Sequence, residues 1–265
     1  MAANFAIIPG DSQSPVILHV PHSARYIPVE VRSELLLNDS ELLEELNSMT
    51  DSRTDEIALA ATEKVEIRPW LFINKFSRLV IDPERFPDDR EIMNKVGMGA
   101  VYRKTSTGKD LRSLAFTGEK KLLDNYFHPY AKALEELVTS RLVNVGKVTI
   151  IDVHSYRPEQ HINAVNHGQR RPAMCIGTDE FHTPINLLNS AQTNFTPLGE
   201  IDINEPYAGT YVPLKYYGVE KRVSSIMMET RADTFLDSKF EFTSQSADVI
   251  KGLVSLIRDS SGFLN

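Results

Sequence analysis

The chain of 265 residues has a formal net charge of -7 at pH 7, and 42% of its residues are hydrophobic. That hydrophobic fraction excludes a disordered chain, and no apolar run approaches the roughly 20 residues that cross a bilayer, so we predict no membrane partner. The acidic balance argues against nucleic acid, because phosphate binding needs concentrated lysine and arginine. The single cysteine, Cys175, excludes an internal disulfide, and the first residues lack a signal-peptide pattern. We therefore predict one cytoplasmic domain over residues 1–265.

The predicted elements alternate between strands and helices along the chain. In chain order they are a strand at 16–20, helices at 39–46 and 54–64, short strands at 66–67, 71–73 and 79–81, a helix at 118–143, strands at 148–155 and 173–178, a helix at 183–194, a strand at 225–231 and a helix at 244–258. Pro129 is expected to kink or split the long helix. The polar stretch 88–108 is predicted to be a functional loop or a lid. This alternation is typical of an α/β fold.

Three of the predicted strands lead to side chains that can bind a metal or carry charge. The first leads to His22, the strand at 148–155 contains His154, and the strand at 225–231 ends in Glu229 and Arg231. Open α/β sheets place their chemistry at the carboxyl ends of such strands. Two histidines and a glutamate in these positions predict a mononuclear metal site with a catalytic carboxylate.

His22, His154 and one carboxylate near the second helix are the candidate metal ligands. Asp51 precedes that helix and is the first choice, whereas Asp55 lies in its first turn and is the alternative. Zinc catalysis uses three such protein ligands and leaves one position for a water. The chain has no compact HExxH motif, so the alternative that both histidines are hydrogen-bonded structural residues stays open.

Glu229, His19 and Asp152 are candidates for roles around that site. Glu229 ends an apolar strand, and a carboxylate in such surroundings can act as a general base. Its alternative is an ion pair with Arg231. His19 is predicted to be structural or to support the site. Asp152 points to the same side of its strand as His154, so it either orients a histidine or caps a neighbouring backbone.

Arg78 and Arg85 are the candidate anion-binding residues, because a guanidinium matches a carboxylate with two parallel hydrogen bonds. They belong to a segment of an acidic chain that also contains Arg90 and Arg103, and this local asymmetry points to a small anionic ligand. The alternative is a set of ion pairs with neighbouring aspartates. The serines that follow His22 and His154 lack a nucleophile elbow, so a serine hydrolase is less favoured.

Taken together, these motifs resemble the N-formylglutamate amidohydrolase family. The motifs that carry the resemblance span about residues 16–231 and are 19–23 (HVPHS), Thr50-Asp51 with Asp55, 77–82 (SRLVID) with Arg85 and 88–89, 152–155 (DVHS), 207–211 (YAGTY) and 228–229. They occur in the order seen in the family, and this order makes the resemblance specific.

The resemblance implies an α/β fold, a three-layer αβα sandwich with a mixed central sheet that is similar to zinc carboxypeptidases. It also implies a metal-dependent hydrolase that cleaves the formyl amide of an N-formyl amino acid such as N-formylglutamate, with one zinc ion per chain. The implied roles are zinc binding for His22, Asp51 and His154, general base for Glu229, and contact with the substrate carboxylates for Arg78 and Arg85.

The chain departs from the family pattern at three places. Ala24 stands where glycine is usual, Pro83-Glu84 replaces Leu-Asn, and Ala131 replaces a histidine. The candidate catalytic residues are retained, whereas the pocket around the arginines differs. The substrate is therefore predicted as a small anionic N-acyl amino acid, a short peptide or a related amide. A catalytically inactive binding protein of the same fold for an anionic small molecule is the alternative, and no oligomeric state is predicted.

Overall fold

The computed structural model describes residues 3–160, 167–168 and 170–262. The strands in these ranges are β1 (Phe5–Ile8), β2 (Val16–Val20), β3 (Trp70–Asn74), β4 (Val148–Tyr156), β5 (Met174–Gly177), β6 (Ile201–Ile203) and β7 (Val223–Arg231). They form one sheet of seven strands in the order β1-β3-β2-β4-β7-β5-β6.

The sheet is mixed, as the family resemblance implies. Its centre is parallel, because β2 pairs in parallel with both β3 and β4, and β4 pairs in parallel with β7. The outer strands reverse direction, since β1 is antiparallel to β3 and β5 is antiparallel to β7. β6 then pairs in parallel with β5. Parallel neighbours end on the same side, so the carboxyl ends of β2, β4 and β7 lie side by side at one edge.

Helices cover both faces of this sheet. The helices in the described ranges are α1 (Val29–Arg32), α2 (Asp39–Met49), α3 (Thr54–Thr62), α4 (Glu119–Leu122), α5 (His128–Val145), α6 (Ile185–Phe195) and α7 (Ser246–Gly262), and of these α3, α5, α6 and α7 pack on the sheet. α3, α6 and α7 contribute to one apolar core, whereas α5 packs in a second core on the opposite face. The predicted three-layer sandwich is confirmed. Within the described ranges, no helix combines the length and the apolar character needed to cross a membrane.

The alternation of side chains along β2 and β4 decides which residues face the site. Successive side chains of a strand point to opposite faces. Leu18 therefore joins the core with α3 and α7, whereas His19 faces the α5 side and reaches Tyr130. Asp152 and His154 are two residues apart and share one face of β4. The polar side chains at the strand ends thus collect on the face that α5 covers.

The structure differs from the sequence prediction at several short strands. Residues 66–67 and 79–81 are not strands, and the sequence does not predict β1 or β6. Leu79, Val80 and Ile81 are fully buried, but Leu79 and Val80 lie in a turn, where Arg112 donates to the Leu79 carbonyl at 2.8 Å. The short apolar run therefore indicates burial rather than strand pairing. β1 and β6 lie at the edges of the sheet, are partly exposed and have only four and three residues, so they are too short to give a clear strand pattern.

The long helix predicted over 118–143 is helical over residues 119–145, and its hydrogen-bond pattern changes just before Pro129, where the sequence predicts a kink or a split. α4, a π-helical segment (Leu123–Phe127) and α5 follow one another, and Pro129 lies in the first turn of α5. The π-helical segment just before Pro129, in which the His128 N–H bonds to the Leu123 carbonyl, changes the hydrogen-bond pattern where proline offers no N–H. The polar stretch 88–108 contains one 3-10 helix (Ile92–Val96) and is otherwise irregular. Its role as a lid stays a prediction.

Candidate active site

A cavity of about 910 Å³ lies at the carboxyl ends of β2, β4 and β7. The six site residues that the sequence predicts, His22, Asp51, Arg78, Arg85, His154 and Glu229, all line it. They come from separate elements: one follows β2, one precedes α3, two lie between β3 and the first 3-10 helix, and the last two lie in β4 and β7. The order of the strands is what brings them together.

His22, Asp51 and His154 place three potential ligand atoms near one another. Nδ1 of His22 lies 3.3 Å from Nδ1 of His154, and Oδ2 of Asp51 lies 3.0 Å from the second nitrogen and 3.7 Å from the first. Tetrahedral ligands at zinc bond lengths are about 3.4 Å apart, so these separations fit a metal ion. The three side chains are buried, with exposed fractions of 3%, 5% and 3%. His22, Asp51 and His154, which we call the ligand group, could therefore hold a metal ion.

Backbone contacts keep Asp51 beside the histidines. Its N–H donates to the His22 carbonyl at 3.1 Å, and the Ser155 N–H donates to its Oδ2 at 3.3 Å. Burial alone would raise the pKa of Asp51, but the imidazoles of His154 and His22 outweigh this effect and hold the pKa well below its usual range. Asp51 is therefore an ionised carboxylate, which suits a cation.

Asp55, the alternative ligand, lies in the first turn of α3. Burial raises the pKa of its carboxyl, and it does not belong to the group of converging ligand atoms in the described chain. The geometry therefore favours Asp51 over Asp55.

Asp82 is a further buried carboxylate that orients His22. Its Oδ1 lies 3.0 Å from Nε2 of His22, and its Oδ2 accepts from the Tyr102 hydroxyl at 2.7 Å and from Arg78 at 2.6 Å. Burial would raise the pKa of Asp82, yet Arg78 and His22 hold it well below its usual range. An ionised carboxylate at Nε2 favours a proton on that nitrogen, so the lone pair of His22 Nδ1 is free to face the ligand group.

Asp152 contacts two histidines, a geometry that fits the predicted orienting role better than the capping one. Its Oδ1 lies 2.8 Å from Nδ1 of His19 and 3.2 Å from Nε2 of His154. The other nitrogen of His19 lies 2.5 Å from the Tyr130 hydroxyl, which donates to it when Nδ1 carries the proton. His19 is fully buried. His19 is therefore linked to His154 through Asp152.

Glu229 lies next to His154, because the register pairs these two residues across β4 and β7. It is buried, and its Oε2 has no hydrogen-bond partner among the described residues. Burial is the main cause that raises the pKa of Glu229 to about 7, and the nearby Asp51 carboxylate acts in the same direction. Arg231 pairs with Asp233 at 2.7 Å, so the alternative ion pair with Glu229 does not form.

The two candidate anion-binding arginines have different surroundings. Arg78 donates from Nε and Nη2 to Asp82 at 3.1 and 2.6 Å, and its Nη1 lies 3.8 Å from Asp51. Its charge is largely balanced by protein carboxylates, as in the ion-pair alternative. Arg85 has a side chain that is 32% exposed, and its ion pairs with Asp82 and Glu91 are longer, at 3.7 and 4.0 Å. Arg85 is therefore the more available of the two to an anion in the cavity.

Sequence reasoning missed three side chains that contact the site histidines: Asp82, Glu84 and Tyr130. The first two lie in the charged segment 78–85, and the aspartate was considered only as an ion-pair partner. An acidic residue between two arginines in an otherwise buried stretch was the available signal. Tyr130 has no such signal, because its contact with His19 depends on how α5 packs against β2.

A buried group of two histidines and an aspartate, beside a carboxyl with a raised pKa, lies at the strand ends of a mixed α/β sandwich. These features place the chain in the class of hydrolases with a candidate metal centre. The family model of the N-formylglutamate amidohydrolases matches residues 14–236, which is most of the chain. The chain therefore belongs to the N-formylglutamate amidohydrolase family, and the resemblance seen in its motifs is confirmed.

Two solved structures share this fold over nearly the whole chain. N-formylglutamate amidohydrolase from Ralstonia eutropha has a TM-score of 0.80 at 18% sequence identity, covering 99% of this chain and 99% of that chain. A gene product from Agrobacterium tumefaciens has a TM-score of 0.72 at 19% identity, covering 98% of this chain and 95% of that chain. At these identities the likeness shows the fold. No curated protein matches the sequence significantly.

Proposed function

We propose that this protein is a metal-dependent amidohydrolase that cleaves the formyl amide of an N-formyl amino acid such as N-formylglutamate. The observation that carries the proposal is the convergence of ligand atoms from His22, Asp51 and His154 beside the buried carboxyl of Glu229. Membership of the N-formylglutamate amidohydrolase family supports the same reaction. The products are formate and the free amino acid.

Zinc is the metal that we propose for this site, with one ion per chain. Two imidazole nitrogens and one carboxylate form a donor set that catalytic zinc sites use, and they leave a fourth position for water. His22, Asp51 and His154 would hold the ion. When bound, zinc would polarise the amide carbonyl and lower the pKa of a water molecule.

Glu229 is the proposed general base. A carboxyl whose pKa is about 7 can both accept and release a proton near neutral pH. Its carboxylate takes a proton from the attacking water as the new C–O bond forms. The same group then returns the proton to the amine nitrogen as the C–N bond breaks, so one water is consumed for each amide cleaved.

Arg85 and Arg78 are the proposed source of preference for an anionic substrate. Arg85 lines the cavity, and its Nε forms no hydrogen bond within the described structure, so its guanidinium can turn toward a substrate carboxylate. Arg78 lines the same cavity and adds positive potential while it holds Asp82. A glutamate product has two carboxylates, and these are the groups that such arginines would bind.

Metal analysis combined with a formate-release assay tests the proposal. Protein purified without chelator is analysed for zinc and incubated with N-formylglutamate and with N-formyl amino acids that have neutral side chains. We expect about one zinc per chain and release of formate that is lost with chelator and restored by zinc. Bound anionic ligand with no hydrolysis would favour a binding protein instead, and the absence of any bound metal would contradict the proposed site.

A further inference from the structure

The carboxylate of Glu84 lies close to ring nitrogens of three histidines at the site. Its Oε2 is 3.2 Å from Nε2 of His154 and 3.7 Å from Nε2 of His22, and its Oε1 is 3.5 Å from Nδ1 of His19. Among the described acidic residues, only Glu84 is within ion-pair distance of all three histidines. Its side chain is 15% exposed, so these contacts form in a largely dry environment.

Two buried atoms at this contact have no hydrogen bond. Oε1 of Glu84 and Nε2 of His154 both lack a partner of suitable geometry within the described chain. Asp152 is also 3.2 Å from Nε2 of His154, but the same oxygen is engaged by His19 at 2.8 Å. A buried polar atom without a hydrogen bond lowers the stability of the fold. A small rotation of the Glu84 side chain that pairs its carboxylate with Nε2 of His154 is therefore favoured.

The chemistry of metal binding explains which proton needs this acceptor. A neutral imidazole that gives its Nδ1 lone pair to a metal keeps its proton on Nε2. Nδ1 of both His22 and His154 faces the ligand group, so both Nε2 atoms carry protons when the metal is bound. Asp82 accepts the proton of His22 at 3.0 Å. The carboxylate of Glu84 accepts no other hydrogen bond from the described residues, and it lies 3.2 Å from Nε2 of His154.

We propose that Glu84 is a positioning residue, which strengthens metal binding by accepting the Nε2 proton of His154 and holding its Nδ1 toward the ion. This inference rests on the proposed metal site. A carboxylate on the outer nitrogen fixes the ring and makes the inner nitrogen a stronger ligand. The negative charge of Glu84 also favours a cation at the centre, because the site is buried and poorly screened. Glu84 acts through His154 and contacts neither metal nor substrate.

The zinc affinity of the Glu84→Gln variant tests this role. The substitution keeps the size of the side chain and removes its charge. We expect the metal-free variant to bind zinc about 10- to 100-fold more weakly than the parent in competition with a chromogenic chelator, since this is the usual loss when such a carboxylate is removed. The readout is metal binding and does not depend on catalysis.

Glu91→Gln is the matched control. Glu91 is a buried glutamate on the wall of the same cavity, but it accepts from the backbone N–H groups of Phe86 and Met93 and contacts none of the described histidines. We expect its zinc affinity to equal that of the parent. Thermal unfolding of the metal-free proteins distinguishes a loss of stability from a loss of zinc affinity. Glu91→Gln should lower the unfolding temperature because it weakens hydrogen bonds to a charged group, whereas Glu84→Gln should not.

The outcomes separate this inference from the proposed function. Unchanged zinc affinity in Glu84→Gln, beside a parent that binds zinc, would overturn the role of Glu84 and leave the metal site standing. Unchanged zinc affinity with a raised KM would place Glu84 in contact with the substrate, which overturns the positioning role as well. A parent protein that binds no zinc would overturn both the site and the inference.

Discussion

At the scale of single residues, Asp51 and Glu229 show how one site gives two buried carboxyl groups very different pKa values. Both are buried, but the pKa of Asp51 is held well below its usual range by the imidazoles it contacts, whereas the pKa of Glu229 is raised to about 7 by burial. Groups whose environments push their pKa values apart take different roles. Asp51 is suited to remain an anion beside a metal, and Glu229 is suited to carry a proton.

Replacement of Glu229 with glutamine should remove the base and leave the metal site intact. The amide keeps the shape of the side chain but cannot accept the proton of the water, so we expect kcat to fall by about 100- to 10,000-fold. Glu229 is not part of the ligand group, so the zinc content should equal that of the parent. Formate release and elemental analysis measure the two effects. Undiminished turnover would contradict the assigned base.

Glu229 should also make the stability of the metal-free protein depend on pH. Its folded pKa of about 7 lies above the ordinary value of 4.5, so the folded state holds the proton more tightly than the unfolded state. The resulting stability is fully present below about pH 4.5 and is lost as the pH rises through about 7. Urea unfolding across this window should show that loss in the parent and a smaller loss in Glu229→Gln. If the free energy of unfolding changed with pH equally in the parent and in Glu229→Gln, the raised pKa of Glu229 would be excluded.

Arg85→Ala should weaken substrate binding in a way that depends on substrate charge. Arg85 lies on the cavity wall without a close carboxylate partner, so we expect KM to rise about tenfold or more for N-formylglutamate and less for neutral N-formyl amino acids. Arg90→Ala is the control, because Arg90 lines the same cavity but is paired with Asp88 at 2.6 Å. Equal effects of Arg85→Ala on both substrates would remove this residue from the anion pocket.

At the scale of elements, the turn before α3 places Asp51, a candidate metal ligand, beside the two histidines. The Asp51 carbonyl accepts from the Thr54 N–H at 3.3 Å and from the Thr54 hydroxyl at 2.9 Å. Arg53 between them adopts a left-handed conformation with φ of 62°. These contacts fix the backbone of Asp51 while its side chain reaches β4. The geometry of this short turn therefore determines where one of the three candidate ligands lies.

Thr54→Val should weaken that turn. The change keeps the shape of the side chain but removes a buried hydroxyl that donates to Asp51, so we expect a loss of about 1 kcal/mol in the free energy of unfolding and a weaker zinc affinity. Thr62→Val is the control, because its hydroxyl donates to the Ala58 carbonyl within α3, away from the site. Denaturant titration and chelator competition provide the measurements. An unaltered zinc affinity in Thr54→Val would show that the turn does not position Asp51.

At the scale of the whole molecule, the ligand group connects segments that are far apart in the chain. His22 follows β2, His154 lies in β4, and Asp51 precedes α3, which packs on the opposite face of the sheet from α5. The unfolded chain does not bring these segments together. A metal that binds them in the folded state alone therefore stabilises the whole fold.

Zinc should accordingly raise the unfolding temperature of the metal-free protein. At a free concentration 100 times the Kd, binding adds about 2.7 kcal/mol to the free energy of unfolding. His22→Ala should abolish this zinc-dependent rise. His128→Ala should retain it, because His128 is exposed and lies outside the ligand group. Differential scanning calorimetry with and without zinc makes the comparison, and an equal rise in both variants would exclude His22 as a ligand.

The sequence by itself determined the class of the fold and the position of most candidate site residues along the chain. Apolar runs that end in His22, His154 and Glu229 are local patterns, because a buried strand and its polar end are neighbours in sequence. The change in the hydrogen-bond pattern of the long helix near Pro129 is local for the same reason. The family resemblance rests on the same short motifs and their order.

Only the tertiary structure decided which carboxylates meet which histidines. Asp51 rather than Asp55 joins the ligand group, and Asp82 and Glu84 contact the outer nitrogens, because β2 lies beside β4 and the segment after β3 folds over both. Strand order and the path of an irregular segment leave no periodic pattern in a sequence. They follow from the packing of the two cores against the sheet, which depends on contacts between residues far apart in the chain.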